Sequence, residues 1–165
     1  MNKRARQKDE QRRFKLGSTI SQDIESPNGW QWVGGVWMGK QTVLDVVFDT
    51  GSDWLVIEGV SCSNCSGNTY NIEPALRSGQ ATQLTISAHE REYGSAKVVG
   101  REYSDTVCIE LASCVFNFRF FYVESQTGLA EPVDGILGLS RSRPMILGSK
   151  NGAEIGPLYV LALSS

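Results

Sequence analysis

Short apolar runs, broken by glycine and by polar residues, dominate the hydrophobic pattern of the chain. Residues 33–38 and 43–48 form two such runs on either side of a Gly-Lys pair, which predicts a β-hairpin that enters a core. After a sharp break at residues 49–52, the apolar run 54–57 predicts another short strand. The break is therefore expected to be a turn between two buried strands.

Most of the other predicted elements are strands as well. They are expected at residues 82–86, at 92–109 as a long hairpin that contains Gly94 and Gly100, at 115–123, at 133–139 and at 158–163. Brief helices are expected only at residues 74–77 and near Met145. The 17 glycines and the 41% hydrophobic content are typical of a turn-rich globular protein, and 165 residues favour one domain. The pattern therefore predicts an all-β fold.

The charge of the chain is concentrated at its start. The first fifteen residues hold seven basic and two acidic side chains, a net charge of +5, which leaves −7 for the remainder of a chain whose total is −2. A basic run without interleaved aromatic residues is typical of a solvated, disordered tail, and a nucleic-acid-binding arm is the competing interpretation. We assign residues 1–29 to a basic arm and residues 30–165 to the folded domain, and we expect no nucleic-acid partner.

The four cysteines indicate the redox environment of the chain. They fall into two close pairs, Cys62 with Cys65 and Cys108 with Cys114, in turn-rich or hairpin-like contexts that suit local disulfides. A zinc site is the alternative, but the forty-two residues between the pairs and the single Cys-x-x-Cys motif argue against it. We therefore expect an oxidising compartment, no metal and no cofactor.

Neither a membrane span nor a secretory signal is visible in the sequence. No stretch reaches the roughly 18 apolar residues of a membrane-spanning helix. The start of the chain also lacks the apolar core of a secretory signal. We therefore expect no membrane partner, and we expect a leader to lie outside this chain or to have been lost from it.

Asp49 occupies an unusual position for a charged residue. It follows a mostly apolar run and precedes Thr-Gly-Ser, so its carboxylate is expected at the end of a buried strand, on a tight turn. A buried carboxylate is costly unless it is hydrogen-bonded, and Thr50, Gly51 and Ser52 supply hydroxyl and backbone N–H donors beside it. From these residues alone, the turn is either a structural Asx-turn or a site of carboxylate chemistry.

Three segments have counterparts in a known family. They are Asp49-Thr50-Gly51-Ser52, Tyr93-Gly94 followed by Asp105-Thr106-Val107, and Asp134-Gly135-Ile136-Leu137-Gly138-Leu139. In their order and approximate spacing they resemble the amino-terminal lobe of pepsin-like aspartic endopeptidases, over about residues 30–165. The resemblance implies an all-β single lobe, half of the bilobal, double-psi β-barrel-like architecture of these enzymes.

The resemblance also implies a role for each residue of the first segment. Asp49 would be the catalytic aspartate of the first lobe. Thr50 would reach across a pseudo-two-fold axis to hold the two related turns together, with Gly51 as part of the same turn. Ser52 matches a hydroxyl that hydrogen-bonds the catalytic carboxylate in many members.

The second and third segments match a moving part and a scaffold. Tyr93, Gly94 and Ser95 match the flap, a hairpin that closes over substrate, with Tyr93 as its aromatic residue. Residues 134–139 match the apolar strand that crosses beneath the catalytic turn, and the Cys62–Cys65 pair resembles the small disulfide loop of the family.

Two positions depart from the pattern of the family. Val56 stands where many members have a tryptophan that hydrogen-bonds the flap tyrosine, and Trp54, two residues earlier, is the candidate substitute. Ala96 occupies a flap position that is often glycine.

His89, the single histidine, has no nucleophile that could be its partner, and it is expected to lie in a solvent-facing loop.

The function implied by the resemblance is hydrolysis of peptide or protein substrates by two aspartates that activate a water molecule. No second Asp-Thr-Gly or Asp-Ser-Gly follows Ser52, so the other aspartate is expected from a second lobe or from a second copy of the chain. The chain is thus a fragment, a homodimer, or a catalytically inactive half-enzyme that binds peptides or proteins. An acidic secreted, lysosomal or vacuolar location is expected, with the basic arm as a remnant of an inhibitory pro-segment.

Overall fold

The structure, a computed structural model, describes residues 22–27, 29–94, 96–129 and 133–140. This part of the chain is built almost entirely from strands, which confirms the predicted all-β fold. The elements are β1 (Val33–Met38), β2 (Thr42–Asp49), β3 (Leu55–Ser63), α1 (Glu73–Ser78), β4 (Thr82–Gln83), β5 (His89–Tyr93), β6 (Ala96–Glu110), β7 (Ser113–Thr127) and β8 (Gly135–Gly138). The basic arm up to residue 21, Ser95, the predicted helix near Met145 and the predicted strand 158–163 lie outside the described residues.

Six of the strands close into a ring. They pair in the order β1-β2-β8-β3-β7-β6, and β6 pairs back to β1 through Trp37 with Cys108 and Met38 with Val107. The pairs β2–β8 and β3–β7 are parallel, and the other pairs in the ring are antiparallel. Strands β4 and β5 attach to β6 outside the ring, so the hairpin of β5 and β6 projects from a closed body.

The first hairpin shows why the local pattern was informative. Gly39 and Lys40 both have positive φ, +58° and +63°, which is the geometry of the two-residue turns that suit the twist of antiparallel strands. Along β1, Val36 and Met38 are buried while the residues between them are half-buried. This alternation is the one expected for a strand that packs one face on a core.

The sheet is buried on both of its faces. A larger core contains Ile57 and Phe120, and a smaller core contains their immediate neighbours Val56 and Phe121. Because successive side chains of a strand point to opposite faces, both faces of β3 and β7 pack against apolar residues at these positions. Trp54 and Tyr93 pack against the smaller core, which places it under the turn between β2 and β3.

The predicted helix at residues 74–77 and the predicted strand at residues 82–86 have different outcomes. The brief helix expected at residues 74–77 is confirmed by α1 (Glu73–Ser78). The strand expected at residues 82–86 is wrong beyond Gln83, where the regular ladder ends. The N–H groups of Leu84 (2.8 Å) and Thr85 (3.3 Å) both donate to the carbonyl of Glu102, and the hydroxyl of Thr85 accepts a hydrogen bond from the N–H of Glu102 (2.9 Å). Ile86, at the end of the predicted strand, is 91% exposed.

Both predicted disulfides are present. Cys62 is bonded to Cys65, and Cys108 is bonded to Cys114. Cys108 and Cys114 are cross-strand neighbours near the closed end of the β6–β7 hairpin, so this bond ties the two strands where they meet. No cysteine in the described residues is left as a free thiol.

Candidate active site

The catalytic turn predicted from the sequence, residues 49–54, bridges two strands that are not neighbours. Asp49 ends β2 opposite Gly138 of β8, and Leu55 begins β3 opposite Leu137 of the same strand. Neighbouring strands lie roughly 4.8 Å apart, so the two ends of the turn are on the order of 10 Å apart. The turn therefore crosses over the end of β8, as the resemblance implied for residues 134–139.

The end of β8 holds this turn through its backbone. Three N–H groups donate to the turn: Gly138 to the carbonyl of Trp54 (2.9 Å), Leu139 to that of Asp49 (2.7 Å) and Ser140 to that of Ser52 (2.8 Å). A Cβ on Gly138 would lie 2.5 Å from the backbone nitrogen of Trp54. Only glycine fits at this position.

The carboxylate of Asp49 is oriented by the turn itself. Its Oδ1 accepts a hydrogen bond from the N–H of Gly51 (2.9 Å), so the segment is an Asx-turn and the residue is half-buried. Thr50 is exposed, on a surface where it can meet another lobe or copy. The Asx-turn and a catalytic carboxylate are thus compatible interpretations of the same geometry.

Ser52 differs from its expected role. Its hydroxyl is buried, and within the described part of the chain it has no hydrogen-bond partner. The expected bond from Ser52 to the carboxylate of Asp49 is absent from the described residues, where the N–H of Gly51 donates to Oδ1 of that carboxylate.

The hairpin of β5 and β6 brings Tyr93 over the turn. Tyr93 ends β5 opposite Ala96, and Gly94 between them has a φ of +59°, which glycine adopts without steric cost. Burial raises the pKa of Tyr93 to about 12; Arg91 lowers it, and the carboxylates of Asp53 and Asp49 raise it. The hydroxyl thus remains protonated, and available as a donor, at neutral and acidic pH.

The turn and the hairpin are the two walls of one open cleft. The cleft has a volume of about 1130 Å³, slightly above the range of roughly 300–1,000 Å³ that is typical of ligand sites. Trp30 and Trp32, which are 84% and 54% exposed, lie on its lining. The structure therefore brings Asp49, Thr50, Gly51, Ser52, Tyr93 and Gly94 together, while Ser95 lies outside the described residues.

A buried aspartate fixes β8 in place beneath the turn. The carboxylate of Asp134 accepts hydrogen bonds from the N–H of Asp45 on β2 (2.7 Å) and from the N–H of Asn68 in the loop after β3 (2.5 Å). Asp134 is 3% exposed, so both bonds are shielded from water. Asp134 thus stabilises the position of β8, a role that its apolar neighbours in the sequence do not indicate.

Replacing Asp134 with asparagine is expected to lower the free energy of unfolding by about 3 kcal/mol, because hydrogen bonds to a charged group contribute about 1.5–3 kcal/mol each and the amide offers one acceptor oxygen to two donors. Denaturant unfolding measures the change. Asp45→Asn is the matched control, since the side chain of Asp45 is exposed and its N–H remains. Equal stability of the two variants would contradict this role.

Sequence reasoning missed a charged group at the base of the hairpin. Arg91 and Arg119, on the two strands that flank β6, both bind Glu102 of β6 beside Trp54. The pairing of β5, β6 and β7 brings them together, and no local spacing predicts that register. The one available signal was Glu102 itself, an acidic residue within an otherwise strand-like segment.

Within the described residues, no set of three or more histidine, cysteine, aspartate or glutamate side chains is arranged to hold a metal ion. In the same part of the chain, no helix is both long and apolar enough to cross a membrane.

Comparison with known families agrees with this geometry. A sequence model described as eukaryotic aspartyl protease matches residues 31–151, a range that includes the turn at Asp49, the hairpin at Tyr93 and strand β8. No curated protein matches the chain. The matched range covers most of the chain and both walls of the cleft.

Proposed function

Because the chain belongs to the eukaryotic aspartyl protease family, we propose that it acts in peptide-bond hydrolysis and that Asp49 is one of the two aspartates required. The observation that carries this proposal is the position of Asp49, on a clamped turn at the end of a buried strand, in the same cleft as Tyr93. A carboxylate held there is oriented before substrate binds. Such preorganisation is what catalytic groups need.

The reaction needs two carboxylates in different protonation states. Two like charges a few ångströms apart cannot both ionise readily, so the pair shares one proton and titrates as a unit. The ionised member takes a proton from a water molecule, which attacks the carbonyl carbon of the scissile bond, while the protonated member donates to the carbonyl oxygen. The N–H of Gly51 keeps the carboxylate of Asp49 aimed during this exchange.

The second carboxylate is proposed to come from another lobe or from a second copy of the chain. The sequence holds one Asp-Thr-Gly segment and no Asp-Ser-Gly segment. Thr50, exposed next to Asp49, is the residue proposed to contact the related turn. A site made from two such turns would have Asp49 at its centre.

The substrate is proposed to be an extended peptide held between the turn and the hairpin. The hydroxyl of Tyr93 is a protonated donor on one side of the cleft. Trp30 and Trp32 offer exposed aromatic surface on the cleft lining, and apolar surface of this kind commonly marks a binding region.

A second candidate function is a peptide-binding module without hydrolysis. The hydroxyl of Ser52, which forms no hydrogen bond with the described residues, favours it, because Asp49 then has less support than the resemblance implied. In this alternative the cleft grips a peptide but the second carboxylate is never supplied. The two candidates share every contact of the cleft and differ only in the partner of Asp49.

Inhibitor stoichiometry separates these candidates. A pepstatin-like inhibitor is expected to bind the purified full chain at one molecule per two chains if two copies of Asp49 form the site, as measured by calorimetry and by native mass spectrometry. A monomer that binds peptides without cleaving them would support the binding module. A chain that neither binds the inhibitor nor cleaves peptides, alone or with a second lobe, would contradict the proposed function.

The location is proposed to be secreted, lysosomal or vacuolar. Two disulfides within a small domain persist in oxidising compartments, and the family match agrees with such an environment. Both bonds are local, so neither depends on the second lobe.

A further inference from the structure

Glu102 is the buried centre of an ionic cluster beside the cleft. It lies on β6 and is 5% exposed. Its Oε1 accepts a hydrogen bond from Arg91 of β5 (2.9 Å), and its Oε2 accepts one from Nε of Arg119 of β7 (2.8 Å). His89 approaches the same Oε1 at 3.4 Å. One carboxylate therefore binds side chains from both strands that flank β6.

Trp54 extends this cluster to the catalytic turn. The guanidinium of Arg91 lies 3.9 Å from the centre of the Trp54 ring, and that of Arg119 lies 5.4 Å from it. A guanidinium within about 6 Å of an indole centre is attracted by the ring, and tryptophan is the strongest aromatic partner. Since β8 holds the carbonyl of Trp54 (2.9 Å), the indole is attached to a fixed backbone.

The charges of the two arginines help Glu102 to remain ionised, and the cluster to remain formed, under acidic conditions. Burial opposes ionisation of Glu102, but the hydrogen bonds and charges of Arg119 and Arg91 outweigh it and hold the pKa of its carboxyl below the usual range. The stabilisation that Glu102 gives the fold is therefore present above the pKa that its carboxyl has in the unfolded chain. It is lost only as the pH falls through the lowered folded-state value.

We propose that Trp54, Arg91 and Glu102 form a clamp that sets the height of the Tyr93 hairpin over Asp49. The role of the hairpin in substrate binding rests on the proposed function, whereas the clamp itself rests on the contacts. Arg91 lies two residues before Tyr93 on β5 and is the one residue of the clamp on that strand. It is a positioning residue, because it acts through the placement of Tyr93.

The clamp holds the hairpin in the observed position although, within the described residues, no hydrogen bond joins Tyr93 to the turn. The planar guanidinium of Arg91 stacks on the indole while its Nη2 binds Glu102, two contacts that an ammonium group cannot make together. Arginine is therefore expected to be required, and lysine is expected to restore only part of the effect.

Hydrogen–deuterium exchange of the free full-length protein tests the clamp without any need for catalysis. In Arg91→Gln, amides of the β5–β6 hairpin are expected to exchange about tenfold faster, as loss of a stacking and ion-pair contact predicts, with no change in β2 or β8. Arg91→Lys should give an intermediate rate. Lys97→Gln is the matched control, because Lys97 makes only surface ion pairs in the same hairpin and should leave exchange unchanged.

Inhibitor binding supplies the functional measurement. A pepstatin-like inhibitor is expected to dissociate about tenfold faster from Arg91→Gln, and KM is expected to rise while kcat changes little, because placement of the hairpin affects ground-state binding. If Arg91→Gln fails to fold, Trp54→Phe weakens the stack and keeps the ion pairs. Wild-type exchange and dissociation in both Arg91→Lys and Trp54→Phe would overturn the clamp.

The two proposals fail in different ways. A wild-type chain that neither cleaves peptides nor binds the inhibitor contradicts the proposed function, and the exchange measurement still decides the clamp. Asp49→Asn is expected to retain wild-type exchange in the hairpin, because Asp49 makes no contact with the clamp.

Discussion

Replacing Asp49 with asparagine is expected to reduce kcat/KM for peptide hydrolysis by roughly 10⁴-fold or more, as loss of a catalytic group does in other proteases. The amide keeps the shape of the carboxylate and its oxygen can still accept the N–H of Gly51. It cannot take a proton from water, so the nucleophile is not formed. Initial rates on a fluorogenic peptide at acidic pH, with the second carboxylate present, measure the change.

Asp53→Asn is the matched control for this experiment. It removes the same charge four residues later, from an exposed position on the same cleft, and is expected to change kcat/KM by less than about tenfold, because rim charges are screened by solvent. Circular dichroism should show both variants folded. Hydrolysis by Asp49→Asn at the rate of Asp53→Asn would contradict the assignment of Asp49.

Gly138→Ala is expected to have the largest effect on the fold around the site. The added Cβ would lie 2.5 Å from the nitrogen of Trp54, 2.7 Å from that of Asp53 and 2.7 Å from the carbonyl carbon of Ser52. All three atoms belong to the backbone of the turn, so the turn itself must move. We expect a loss of about 3–5 kcal/mol in the free energy of unfolding, the range of severe overpacking and strain.

In Gly138→Ala, kcat/KM is also expected to fall by about 10²-fold, because a displacement of about 1 Å at a catalytic group has that effect. Gly79→Ala is the control: Gly79 has a φ of +76° with nothing within 4 Å of the added Cβ, so only backbone strain of about 1–2 kcal/mol is expected. If urea unfolding shows Gly138→Ala to be no less stable than Gly79→Ala, β8 does not restrain the turn as described.

Local pattern predicted most of the strands, but it predicted their pairing only where the partners are close in sequence. The β1–β2 hairpin follows from two apolar runs around a Gly-Lys turn. The helix α1 follows from a short segment that has Pro74 near its start. The strand predicted at residues 82–86 becomes irregular after Gln83, where the hydroxyl of Thr85 accepts a hydrogen bond from the backbone of β6. A side-chain hydrogen bond of this kind leaves no mark on the pattern of apolar residues.

The candidate site was predictable only in part. The residues of the turn and of the hairpin were found because they resemble a family, and their common cleft followed from that resemblance. The bond partners of Asp134 and the meeting of Arg91 with Trp54 depend on strand register across distant segments. The orientation of the Ser52 hydroxyl, which is buried and has no partner among the described residues, is a matter of side-chain geometry that the sequence does not reveal.

The insertion of β8 between β2 and β3 has a consequence for the order in which the protein acquires its structure. Strands β2 and β3 follow each other directly, but the strand that separates them emerges from the ribosome after β4, β5, β6 and β7. Contacts between distant segments form slowly, because a long loop must close first. A nascent chain can thus complete its hairpins early, while Asp49 gains its support only after residues 135–140 are synthesised and docked.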